Sequence, residues 1–123
     1  MLNIIFIGIG GALGAVARYS VDQLAFVHLG SSVAGTFIVN ISGSFLLGLL
    51  AGVLSSNSAW PGEIRLFFAV GFLGSFTTFS TLTLATVQSI GRGDTSGATI
   101  NLGASIICGL VAAAIGLFVG RAI

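Results

Sequence analysis

The sequence contains no lysine, and only four arginines and three acidic residues interrupt its 123 positions. Charged residues make up 6% of the chain, against about a quarter of an ordinary soluble domain. With so little positive charge there is no basic patch for nucleic acid, which is excluded as a partner. The single cysteine, Cys108, excludes an internal disulfide and any multi-cysteine metal centre. The single histidine, His28, cannot build a metal site alone. The start of the chain lacks the basic flank of a secretory signal, and its apolar run is too long for one. It is expected to stay as a first membrane helix.

What the chain has is apolar length. It is 55% hydrophobic, with a mean hydropathy of +1.14. Four stretches, at about residues 2–20, 32–54, 64–90 and 98–120, are each long enough to cross some 30 Å of hydrocarbon as a helix of roughly 20 residues. Their links are short: a polar one with Asp22, Gln23, His28 and Ser31; a turn-rich one at residues 55–63 with Trp60 and the only proline, Pro61; and residues 91–97. Short links favour antiparallel neighbours. The reading is one all-α integral membrane domain over residues 1–123, multi-pass in the cell membrane. Small residues one turn apart (Gly10 and Gly14, Gly48 and Gly52, Gly116 and Gly120, Ser105 and Gly109) mark candidate close contacts between helices.

The third stretch holds the densest polar signal. In Gly71-Phe72-Leu73-Gly74-Ser75-Phe76-Thr77-Thr78-Phe79-Ser80-Thr81-Leu82, glycines and hydroxyls sit deep in an apolar run. A helix broken near Gly74–Thr78 frees backbone groups, which lipid tolerates only where they are buried in protein or line a wet cavity. Thr77, Thr78, Ser80 and Thr81 either bond back to carbonyls one turn earlier or face something polar. Phe76 and Phe79, three residues apart, pack the core or turn electropositive ring edges toward an anion. Asn40, near the middle of the second stretch, either ties helices together or offers its amide protons to an anion in transit. Arg18, four residues before Asp22, is a snorkelling arginine at the end of the first helix, a structural anchor or an anion-attracting vestibule group. No Asp, Glu, His or Lys falls within the four stretches. A proton-coupled exporter or cation pump usually carries an intramembrane ionisable group, so passive permeation of an anion fits better.

With four crossings, Arg65 and Arg121 lie on one side and Arg18 and Arg92 on the other. Orientation follows an excess of Lys and Arg on the cytoplasmic side, and here there is none. The chain is therefore expected to insert both ways and to pair as an antiparallel dual-topology dimer, related about an axis in the membrane plane.

The chain resembles the Fluc/CrcB family of small fluoride channels along essentially its whole length. The resemblance rests on residues 10–19 (Gly10-Gly11-Ala12-Leu13-Gly14-Ala15-Val16-Ala17-Arg18-Tyr19), on Gly35-Thr36-Phe37-Ile38-Val39-Asn40 with Gly43 and Gly48, and on residues 71–81. It implies passive export of fluoride without enzymatic chemistry, through two pathways along an antiparallel dimer interface. It makes Asn40 the pore asparagine, Phe79 the first of two pathway phenyl rings, Ser80 and Thr81 part of a hydroxyl track, and Ser105 a fourth-helix member of it. The backbone carbonyls of Gly74 and Thr77 would help hold a structural sodium ion at the dimer axis, and Arg18 would lie near the vestibule. The chain departs from the family pattern at Leu82, where the second ring is usual, and at Ala85, where some members carry glutamate. The dimer is then a homodimer with a modified track, or a heterodimer with a paired homologue. Two other readings are a dual-topology exporter of cations or small molecules, and a non-transporting subunit of a membrane assembly.

Overall fold

The computed structural model describes residues 1–56 and 59–123. It is built from helices: α1 (Leu2–Leu29), α2 (Ser32–Ser56), α3 (residues 62–76), α4 (Phe79–Gly91) and α5 (Thr95–Ala122). Four spans, with α3 and α4 together forming the third, are long and apolar enough to cross a membrane. Two links are tighter than the sequence suggests. Asp22, Gln23 and His28 are not in a link but on α1, which runs on to Leu29. Gly30, at φ 68°, stops it and donates its N–H to the Phe26 carbonyl over 3.0 Å. Polar side chains do not end a helix; a residue able to turn left-handed does. Arg18 is therefore about three turns inside the helix, and not at its end. At the other end of the third span, Gly93 (φ 83°) makes the turn and Asp94 caps α5 by accepting from the Gly97 N–H over 3.0 Å. In the second link, Asn57 and Ser58 lie outside the described residues, while Trp60 is partly exposed and Pro61 immediately precedes α3.

Two helix pairs hold the molecule together, and glycine makes both. On α2 and α5, a Cβ at Gly48 would overlap the Ala113 carbonyl, one at Gly116 the Phe45 carbonyl and one at Gly120 the Leu49 carbonyl. The GxxxG pairs of the two helices thus lie face to face, backbone on backbone. On α1 and α3, a Cβ at Gly10 would strike the Phe67 carbonyl, one at Gly14 the Phe72 carbonyl, and one at Gly71 would come within 2.7 Å of the Ile7 carbonyl. Among lipid tails there is no hydrophobic drive to pair helices, so close van der Waals fit must do it. The side-chain distribution agrees. Among the described residues the buried apolar ones are few (Ala25, Val39, Leu73, Phe76, Leu82, Ala98), while many large aliphatic side chains are exposed. Gly109 is different: its nearest neighbours, Ser44 Oγ at 3.7 Å and Ile41 at 3.9 Å, are ordinary contacts. The Ser105–Gly109 pair does not bring backbones together.

Within α3, residues Leu66–Leu73 are wound as a π-helix, with i→i+5 bonds, between short α-helical pieces Gly62–Arg65 and Gly74–Phe76. The chain then leaves the helix. Thr77 (ψ 154°) and Thr78 (φ −150°, ψ 120°) are extended, and α4 begins at Phe79. The break lies inside the Gly74–Thr78 window read from the sequence.

Candidate functional site

Asn40 of α2 closes the break. Its Oδ1 accepts the Thr78 N–H over 2.8 Å, and its Nδ2 donates to the Thr78 carbonyl over 3.0 Å. One side-chain amide thus satisfies both main-chain groups of an extended residue. An Asn side chain has two N–H donors, so one remains for another acceptor.

The same bonds explain which carbonyls are freed. In an unbroken helix the Gly74 carbonyl would accept from Thr78 N–H, and the Thr77 carbonyl from Thr81 N–H. Thr78 N–H goes instead to Asn40, and Thr81 N–H goes to Thr78 Oγ1 over 3.3 Å. Both carbonyls lose their helical partners at one place, and Gly74 is exposed on the surface of the chain. The break therefore leaves two neutral main-chain oxygens without their helical partners.

Beside the break lies a cavity of about 400 Å³. Asn40, Ser44 and Leu47 of α2 form one wall, Thr77, Thr78, Phe79 and Leu82 a second, and Ser105 with Gly109 of α5 a third. Ser105 is only 6% exposed, and its Oγ has no hydrogen-bond partner. That is unusual in this chain. The hydroxyls of Ser20, Thr36, Ser42, Thr77, Thr86 and Thr99 all bond back to the carbonyl four residues earlier. Ser105 makes no such bond. Phe79, in contrast, is 73% exposed, its ring unpartnered within one chain.

The other sequence candidates lie around this centre. Thr77 bonds back to the Leu73 carbonyl over 3.0 Å but still reaches the cavity wall. Ser80 and Thr81 are exposed and outside the wall, their hydroxyls gathered on Thr78 Oγ1 at 3.3 and 3.2 Å. Phe76 points away: it is buried, stacked on Phe72 with centroids 5.8 Å apart, and lies against Gly43. Arg18 is half-buried on α1 and does not reach the cavity. Near it, Asp22 Oδ1 is buried without a partner, against the first turns of α2 at Gly35. Ser44 was not singled out from the sequence, although it lies one turn beyond Asn40 on the same face of α2. Leu82, noted there only as a departure, is a buried wall of the cavity.

This arrangement is a small open cavity beside the break, with Asn40 and Ser44 on one wall, Ser105 on another, and the Phe79 ring on the third. It holds no carboxylate or cation among the residues that line it. Donors without formal charge can replace the water around a small anion without trapping it.

Comparison with known proteins gives this geometry a family context. The family model described as "CrcB-like protein, Camphor Resistance (CrcB)" matches residues 5–117. A protein of Hydrogenovibrio crunogenus named "Fluoride-specific ion channel FluC" is 39% identical over 122 residues, spanning 98% of this chain and 92% of its own length. One of the same name from Magnetococcus marinus is 39% identical over 123 residues, spanning 99% of this chain and all of its own. "Fluoride-specific ion channel FluC 1" of Symbiobacterium thermophilum is 42% identical over 118 residues, spanning 94% and 95%.

Proposed function

The chain belongs to the CrcB family, and we infer that it is a fluoride-specific ion channel of the cell membrane, with no enzymatic step. We propose that fluoride passes through the chamber beside the helix break. The observation that carries this is Ser105, a buried serine whose hydroxyl has no internal partner, lining the same cavity as Asn40. Fluoride is small and strongly hydrated, so its path needs donors close together; Asn40, Ser44 and Ser105 supply them. Phe79, and beyond it Ser80 and Thr81, continue the path toward a second chain, where the ring's positive edge faces the ion. Phe76 supports the break from behind.

The working unit is an antiparallel dual-topology dimer with two such paths. Its homodimeric form is the simpler reading, because Leu82 fills the second-ring position with comparable bulk. The carbonyls of Gly74 and Thr77 fit a structural sodium ion at the dimer axis. Sodium there would neutralise the freed carbonyl dipoles of two breaks and fix them against each other, while this chain's part is to hold the oxygens in place through the Asn40–Thr78 bonds.

The test is release of fluoride from loaded liposomes containing this chain alone, followed with a fluoride electrode and with chloride as control. Fast fluoride release without chloride release is expected. Phe79→Ile should slow it more than Phe45→Ile, since Phe45 lies on α2 outside the cavity wall. Equal effects of the two substitutions would make Phe79 a packing residue only.

A further inference from the structure

A second kind of site lies away from the chamber, between the end of α2 and the start of α3. A groove of about 340 Å³ has Leu47, Leu50, Leu54 and Ala69 on its walls, with Arg65 and Ser55 at one end. A further cavity of about 380 Å³ continues it around Arg65. From Ser55 at the last turns of α2 to Leu47 is eight residues, or about 12 Å along the helix axis. The groove is thus charged at the membrane surface and purely aliphatic below, which is the shape of an amphiphile. Arg65 is exposed, and no carboxylate pairs with its guanidinium among the described residues. No acidic residue lines either cavity, so no carboxylate there competes with phosphate for Arg65. Across Leu50, a neighbouring apolar groove is lined by Trp60, the only tryptophan, whose ring suits the headgroup level.

We propose that this groove binds an anionic phospholipid, its phosphate on Arg65 and an acyl chain along Leu54, Leu50 and Leu47. The guanidinium takes phosphate oxygens in pairs, and it holds an anionic lipid more strongly because no headgroup cation offsets the phosphate charge. Leu47 also walls the ion chamber, so the acyl chain would seal that side of it against the bilayer.

The single tryptophan provides the readout. The full chain is reconstituted in phosphatidylcholine vesicles doped with acyl-brominated phosphatidylglycerol or acyl-brominated phosphatidylcholine, and quenching of Trp60 fluorescence is followed. Phosphatidylglycerol should quench at about fivefold lower mole fraction, the preference worth roughly 1 kcal/mol that one basic residue at a membrane surface provides. Arg65→Gln should abolish the preference and Arg65→Lys should keep most of it. Equal quenching by the two lipids in the unaltered chain, or a preference that survives Arg65→Gln, would overturn the proposal. Absence of quenching by either lipid would overturn it as well, because the groove would then be covered by something other than lipid.

Discussion

At the residue scale, Asn40 does two jobs with one amide. Its bonds to Thr78 fix the break in a defined shape, and it lines the cavity with one N–H left unspent on those bonds. The two jobs separate by substitution. Asn40→Ala and Asn40→Asp both lose the donor to the Thr78 carbonyl, a loss of about 1–3 kcal/mol for a buried bond. Only Asp adds a negative charge beside the path. At an effective dielectric of about 20, a like charge some 4 Å away costs a few kcal/mol, which is at least about a hundredfold in anion occupancy. Fluoride release is therefore expected to fall in the alanine variant and to vanish in the aspartate variant. Equal residual rates in the liposome assay would mean that the anion does not pass Asn40. The sequence showed Asn40 as a buried amide needing partners but left glue and pore residue as alternatives. Thr78, which it bridges, lies 38 positions away, and no local pattern encodes that pairing.

At the element scale, glycine decides which helices meet. Gly116 has no room for a methyl group against the Phe45 carbonyl, whereas Gly103 on the same helix has nothing within 4 Å of a Cβ. Gly116→Ala should therefore cost about 1–3 kcal/mol through overpacking. Gly103→Ala should be neutral or gain up to about 1 kcal/mol from helix propensity. Thermal unfolding of the two variants in detergent micelles checks the contrast, and matching shifts would remove close packing as the cause. The four spans were legible because lipid demands about 20 apolar residues in a row, and the break because glycine and hydroxyls cluster at Gly74–Thr78. The GxxxG spacings were legible too, but not which pairs would face each other. The length of α1 was not legible, because Asp22, Gln23 and His28 read as a link although they are compatible with a helix. Nor was the π-helical stretch Leu66–Leu73, whose apolar composition is that of any buried helix.

At the scale of the whole molecule, the balance of arginines carries the argument for pairing. The fold keeps Arg65, at the start of α3, and Arg121, at the end of α5, on the side where α2 also ends, since a Cβ at Gly52 would lie 2.8 Å from the Arg121 nitrogen. Arg92 follows α4 at the opposite side. Two arginines against two give no bias, and a dual-topology dimer needs both orientations in similar amounts. Removing one charge should tip the balance. Arg121→Gln leaves one against two, so most chains should place the Arg18 and Arg92 side in the cytoplasm; Arg92→Gln should do the reverse. Each variant alone would then be starved of antiparallel partners. Protease access to a C-terminal tag reads the orientation, and fluoride tolerance of the expressing cells reads the function. Each single variant is expected to be one-sided and sensitive, and the two expressed together to be two-sided and tolerant. Rescue by co-expression is the decisive outcome, because folding damage from either glutamine would not be mended by a second damaged chain. A one-sided variant with full fluoride tolerance would instead rule out the antiparallel dimer as the working unit.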